Sequence, residues 1–292
     1  MRSGFARLHP LVDLTFFVLV LAFAMFLSHP AVQLAGLVCA ALFALRCTGR
    51  GFGRRMAMLL PLMLLAAVVN PLVSHQGVTV LFRFPSGNAC TLESVLYGIS
   101  AAVRLGTAVL WFMGWNAVMT SDKFVYLFGR ILPSLSLTLS MGLRFVPRLL
   151  RRTREVAQAQ KLARPAERSW LAGIRRAGRV VSIVVTWALE NALDTADSMK
   201  SRGYGLPKRT AFSLFRFTLR DGICLGVLAA LGGIVLAGSL TGGLKWWYYP
   251  APGGATGVQA ALWTAAFVLL AAFPLIFDAK EAIQWRASRS RT

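Results

Sequence analysis

Residues 147–164 read PRLLRRTREVAQAQKLAR, and residues 170–203 read WLAGIRRAGRVVSIVVTWALENALDTADSMKSRG. In the first stretch Leu149, Leu150, Thr153, Val156, Ala157 and Ala163 recur at helical spacing, while Arg148, Arg151, Arg152 and Arg154 crowd the other faces. Pro147 suits the first position of that helix, where a missing N–H costs nothing. In the second stretch Trp170, Ile174, Ala177, Val181, Val184, Ala188, Ala192 and Met199 form the apolar stripe, with Gly173 or Gly178 as points where the helix breaks. Gly203, Gly205 and Pro207 stop it. Each amphipathic helix therefore closes on an arginine triplet, Ala163-Arg164-Pro165 or Ser201-Arg202-Gly203. A guanidinium fork at a helix tip suits bidentate pairing with a carboxylate of a partner. Spacing alone favours the plainer reading, in which these arginines complement the helix dipole or face lipid.

Outward from this pair the chain turns apolar. Of its 292 residues 56% are hydrophobic and only 15% charged, whereas a soluble domain carries about a quarter charged residues. Apolar runs lie at about 11–28, 30–47, 57–74, 94–119, 221–241 and 259–278, close to the ~20 residues that cross a ~30 Å hydrocarbon core. The fold class is all-α: a polytopic membrane protein of about six transmembrane helices with a cytoplasmic pair of amphipathic helices. Three segments follow: a bundle over 1–120, the helix-pair segment over 121–220, and a hairpin with a basic tail over 221–292. No cleavable signal peptide is evident, because the first apolar run lacks a small-x-small site.

The net charge of +21 invites a nucleic-acid reading, but its placement argues against one. With both termini inside, 29 basic residues fall on the cytoplasmic side, Arg83 and Lys245 outside, and Arg104 within a span. That asymmetry is the positive-inside pattern, and the charges would meet anionic lipid. Trp246 to Tyr249 read as an aromatic anchor at the outer interface. Arg104 at membrane depth needs a partner, with Asp13 and Glu93 the nearby carboxylates or backbone carbonyls the alternative. Glu190, Asp194 and Asp197 form a stripe suited to bridging toward the arginines of the first helix.

Two further apolar patches, 131–143 and 180–189, read as helices along the cytoplasmic face, since making them spans moves a block of arginines outside. Leu135, Leu139, Leu143, Val181 and Val185 are their candidate contacts for another membrane protein. The four cysteines contain no C-x-x-C pair, the three histidines are scattered, and neither set makes a metal site. No G-x-x-x-x-G-K-[ST] phosphate loop is present, so any ATP is bound elsewhere. No cofactor is implied. An enzyme acting on an anionic lipid phosphate would need clustered carboxylates or a nucleophile at one cavity. A channel or carrier would show internal repeats or several charges in its spans.

Asn70-Pro71-Leu72, LYGISAAVRL at 96–105, Leu143-Arg144-Phe145-Val146-Pro147, SMKSRGYG at 198–205 and the opening HPLVDLTFFVLVLAF resemble the transmembrane T component of energy-coupling factor transporters, the EcfT/CbiQ family. The resemblance covers most of the chain. It implies a non-catalytic coupling subunit of an ABC-type importer in a bacterial or archaeal plasma membrane. Its partners would be two ATP-binding cassette subunits and a small membrane S component that captures a vitamin or micronutrient, or a cobalt or nickel ion in the dedicated systems. Ala163, Arg164, Pro165, Ser201, Arg202 and Gly203 would be the ATPase contacts, one triplet for each ATPase. The family triplet is typically Ala-Arg-Gly, so Pro165 and Ser201 depart from it. Proline turns the preceding residue away from the helical region, which ends the first helix by another route.

Overall fold

A computed structural model describes residues 4–74, 76–83, 89–129, 133–163, 170–206 and 215–289. The chain divides into two compact units, residues 1–120 with 215–292, and residues 121–214. The first unit holds α1 (Pro10–Phe26), α2 (Pro30–Thr48), α3 (Phe52–Val73), α4 (Leu92–Val118), a short hairpin β1 (Val80–Arg83) and β2 (Ala89–Thr91), and the elements after residue 215. The second holds α5 (Ser121–Gly129), α6 (Pro133–Ala163) and α7 (Trp170–Ser201). The first unit is completed by α8 (Leu219–Leu240), β3 (Trp246–Trp247), β4 (Gly253–Gly254) and α9 (Val258–Arg289).

Among the described residues five helices are long and apolar enough to cross a membrane: α2, α3, α4, α8 and α9 up to Glu281. The sixth expected span, α1, is apolar but only 17 residues long, about 25 Å at 1.5 Å per residue. Its start is set by Pro10 at the first position, with the His9 ring accepting a hydrogen bond from Leu11 N–H. The protein is thus an all-α polytopic membrane protein. The core of this unit is aromatic: Phe5, Phe16, Phe17, Phe43, Trp111 and Phe267 are fully buried. Phe16 meets Phe5 edge-on at 5.2 Å and Trp111 at 5.5 Å, the arrangement ring quadrupoles favour.

The first residues are latched to the last helices. Phe5 N–H donates to Asp278 at 3.0 Å, His9 N–H donates to Asp221 at 3.1 Å, and Arg7 pairs with Glu281 at 3.0 Å. Asp221 also closes a capping box with Thr218 at the start of α8. His9 and His29, the residues preceding α1 and α2, are buried, and His29 shares a hydrogen bond with the Ala255 carbonyl. Residue 75, the third histidine, lies outside the described residues.

Helix α3 packs chiefly on α4, and Leu59 is its one buried residue. The seam is tight because Gly98 brings α4 against the Ala67 carbonyl, where a Cβ would collide. Asn70 ties the same seam by donating to the Ser94 carbonyl at 2.9 Å. In α8, Gly238 sits under the Trp263 ring of α9, whereas Gly226 faces open space. Gly238 is thus a close helix–helix contact and Gly226 is not.

Arg104 finds neither Asp13 nor Glu93. It donates to the hydroxyls of Ser28 at 3.2 Å and Ser100 at 3.4 Å, and Ser100 in turn donates to Gln33 at 2.9 Å. Glu93 is occupied by the Thr79 N–H. The Trp246–Tyr249 run is mostly packed on protein: Tyr248 is buried and donates to the Ser28 carbonyl, and Tyr249 meets Asn70 and Ser74. Only Trp247, 54% exposed, is free to serve as an anchor.

Candidate docking site

The helix pair of the second unit differs from expectation at its start. Pro147 lies inside α6, and Pro133 takes the first-turn position instead. The apolar patch and the arginine-rich stretch are one helix of 31 residues, about 46 Å long. Likewise α7 runs unbroken through Gly173 and Gly178, with open space where either Cβ would point. Those glycines weaken α7 by about 1 kcal/mol each relative to alanine without breaking it.

The two helices run antiparallel. Phe145 stacks on Trp187 at 6.2 Å, Arg152 lies 5.7 Å over the same ring, and Val156 packs with Val180 and Val184. Rising along α6 therefore means descending along α7. The C-terminal tips, Ala163 and Ser201, face opposite ways, separated by roughly the helix length of ~45 Å.

The Ser201 tip is built by a Schellman turn. Tyr204 N–H donates to the Met199 carbonyl at 3.0 Å, and Gly203 N–H to the Lys200 carbonyl at 2.9 Å. Gly203 has φ +80°, the left-handed conformation glycine adopts at least cost. This turn leaves Arg202 exposed at the cap position, beside Tyr204 (48% exposed) and Leu206 (69%). At the other tip Leu162 is 89% exposed and Trp170, opening α7, is 78% exposed. Arg164 and Pro165 lie outside the described residues. Each end thus offers bare apolar side chains, and at the Ser201 end a guanidinium stands beside them.

Between the tips the pair has two unlike flanks. Leu139, Leu143, Val146 and Leu150 are all exposed and follow one another at i, i+4, i+7, i+11 on α6. On α7 Val181 and Val185, also exposed, flank the interface on the same side. Leu150 therefore belongs to this flank and not to the interface stripe. Of Leu135 only its helical position is described. The opposite flank is a polar hollow of about 270 Å³ lined by Arg148, Arg151, Arg152, Glu155 and Trp187. Within it Arg152 pairs with Glu155 at 3.1 Å. Glu190, Asp194 and Asp197 are exposed, and no ion pair joins them to α6 among the described residues. Sequence reasoning missed Trp187 as the floor of the hollow; its place between arginines appears only once the helix register is known.

The chain thus combines a multi-helix membrane unit with a second unit built on a long, two-flanked amphipathic helix pair. Residues 3–214 match the family described as Cobalt transport protein, CbiQ. The chain belongs to that family of transporter transmembrane components. It is similar to the energy-coupling factor transporter transmembrane protein EcfT of Brevibacillus brevis, 27% identical over 224 residues, 71% of this chain and 83% of that protein. The EcfT proteins of Bacillus selenitireducens and Listeria innocua are 33% and 36% identical over 113 and 105 residues, 37% and 35% of this chain. Those matches span about two fifths of the relatives' lengths, 42% and 39%.

Proposed function

We propose that this chain is the non-catalytic coupling subunit of an energy-coupling factor importer. Two ATP-binding subunits dock at the opposite tips of α6–α7, one through Ala163, Arg164 and Pro165, the other through Ser201, Arg202 and Gly203. A small membrane S component, carrying a vitamin or another micronutrient, rides on the apolar flank of Leu139, Leu143, Val181 and Val185, with Leu135 one turn further along. Both termini lie in the cytoplasm and the bundle in a bacterial or archaeal plasma membrane, where its basic margins meet anionic lipid.

The observation that carries this reading is the antiparallel pair itself, whose tips stand ~45 Å apart and face opposite ways. One rigid pair can then engage two separate subunits, and a change in their spacing is transmitted along two stiff rods. Family membership supports the same reading. The test is co-purification with the two ATP-binding subunits and uptake in reconstituted vesicles. Arg202→Glu should cut both at least tenfold, since truncating or reversing one partner of a desolvated charge pair costs ~2–5 kcal/mol. Full assembly and uptake by Arg202→Glu would refute its role. A second reading, a dedicated cobalt or nickel importer, is favoured by the family's description. Uptake of radiolabelled cobalt, set against a panel of vitamins, separates the two.

A further inference from the structure

Beside the tight Gly98 seam, α3 and α4 part to leave a crease of about 370 Å³. Leu62, Leu65, Ala66, Val69 and Val73 line it from α3, at the spacing of one helix face, and Leu105 lines it from α4. Asn70 is the one polar residue in the lining among the described residues. Its amide N–H groups are already committed, to the Ser94 carbonyl at 2.9 Å and the Tyr249 hydroxyl at 3.5 Å. The crease therefore suits an occupant with no hydrogen bonds to make. Leu62 stands midway along the 22 residues of α3 and Val73 is its last. The crease thus runs for roughly 16 Å, about half the ~30 Å hydrocarbon core and so the depth of one leaflet. Its volume over that length leaves a section of roughly 22 Å², about 5 Å across, against the ~10–12 Å breadth of a helix with its side chains. A hydrocarbon chain is that slender and a transmembrane helix is not.

The Val73 end of the crease lies where the chain leaves α3 for the β1–β2 hairpin. Val78, Val80, Leu81 and Phe82 are exposed there, and because successive strand residues alternate sides, both faces of β1 are apolar. Arg83, also exposed, follows them. The strand is fixed to the start of α4: Thr79 N–H donates to Glu93 at 3.2 Å, and Leu92 N–H donates to the Thr79 carbonyl at 2.9 Å. An apolar strand held at the end of a spanning helix and bare on both faces fits the boundary between headgroups and chains, which wraps both sides at once. It also continues the exposed apolar surface of α3 at Leu65, Val69, Leu72 and Val73. We propose that the crease and the hairpin together form a phospholipid site. One acyl chain of the adjacent leaflet lies along the crease, β1 sits at the headgroup boundary above it, and Arg83 is the cation for the phosphate. The chain supplies packing to a helix in which Leu59 is the one buried residue. The inference stands apart from the coupling reading and needs only that α3 and α4 cross the bilayer.

The experiment uses the full chain in vesicles of phosphatidylethanolamine and phosphatidylglycerol, the phosphatidylglycerol carrying a photoactivatable diazirine on one acyl chain. Mass spectrometry of the peptides locates the label. It should collect on Leu65, Val69 and Leu105 at least fivefold over Leu64 and Val68, which are exposed on other faces of α3. A66W fills the crease and should cut that yield at least fivefold, while L64W leaves it within twofold. V69W, at a more exposed position, should repeat the A66W result and serves if A66W does not fold. A second probe, with the diazirine in the headgroup, should label Leu81 and Phe82. Even labelling around α3 means annular lipid only and overturns the proposal, as does a yield that A66W and V69W leave unchanged. A hairpin untouched by the headgroup probe stands in water and overturns it as well. In native membranes, p-benzoylphenylalanine in place of Val69 should capture lipid; capture of a protein hands the crease to a partner and equally overturns the proposal.

Discussion

Replacing Gly98 by alanine tests the α3–α4 seam most directly. A Cβ at Gly98 runs into the Ala67 carbonyl oxygen and lies 3.2 Å from Pro71 Cδ. Both are held by the α3 backbone, so no side chain can swing away. Relief requires the helices to part by roughly 1 Å, and overpacking of this kind costs ~1–3 kcal/mol. Alanine returns about 1 kcal/mol through its better helix propensity. A net loss of up to about 2 kcal/mol remains, a factor of up to roughly 30 in the folded ratio. Gly106 on the same helix is the internal control. Its Cβ would meet Met63 Sδ at 2.6 Å, the movable end of a side chain with three rotatable bonds. Gly106→Ala should be neutral, or more stable by up to ~1 kcal/mol. Thermal midpoints of both variants in one detergent, followed by tryptophan fluorescence, make the comparison. A Gly98→Ala midpoint equal to or above that of Gly106→Ala would show that the seam is not backbone-limited.

Gly203→Ala forces a side chain into the left-handed turn and should cost ~1–2 kcal/mol locally; hydrogen exchange should quicken at Gly203 and Tyr204, whose N–H groups close the turn, while the middle of α7 is unchanged. Gly178→Ala, in open space at helical φ, should instead slow exchange across α7 by up to about fivefold, matching ~1 kcal/mol. Tyr249→Phe removes the hydroxyl shared by Asn70 and Ser74 and should lower stability by about 1 kcal/mol, read as a depressed midpoint in the same detergent. A cysteine at exposed Gln158 should be modified by an impermeant maleimide only in inverted vesicles; labelling from the outside of intact cells would reverse the orientation.

Much of the fold was legible because apolar runs and basic margins are long-range averages that tolerate local error. The expected spans agree with the helices to within a few residues, apart from α3, which starts at Phe52, and α9, which runs on from the expected end at 278 to Arg289. Punctuation misled where it was read locally. Pro147, Gly173 and Gly178 signalled breaks, yet helices of 31 and 32 residues carry through them, since packing of Val156 on Val180 and Val184 outweighs single-residue propensity. The Ser201 tip was readable from Gly203 alone. The flanks were not, because they depend on the register of α6 against α7, which no one-dimensional pattern contains. Nor could the partner of Arg104 be guessed: hydroxyls of Ser28 and Ser100 serve where a carboxylate was sought.

The latch between Phe5 and Asp278 joins residues 273 apart in the chain. At roughly 5–20 residues per second of synthesis, the amino end waits about 15–55 s for its last partner. During that interval α1 through α4 have only one another's contacts to hold them, such as Phe16 on Trp111 and Asn70 on the Ser94 carbonyl. The helix pair, made from one contiguous stretch, has every residue of its own core as soon as residue 214 is made. The ribosome therefore delivers the whole α6–α7 pair before the contact between Phe5 and Asp278 can form.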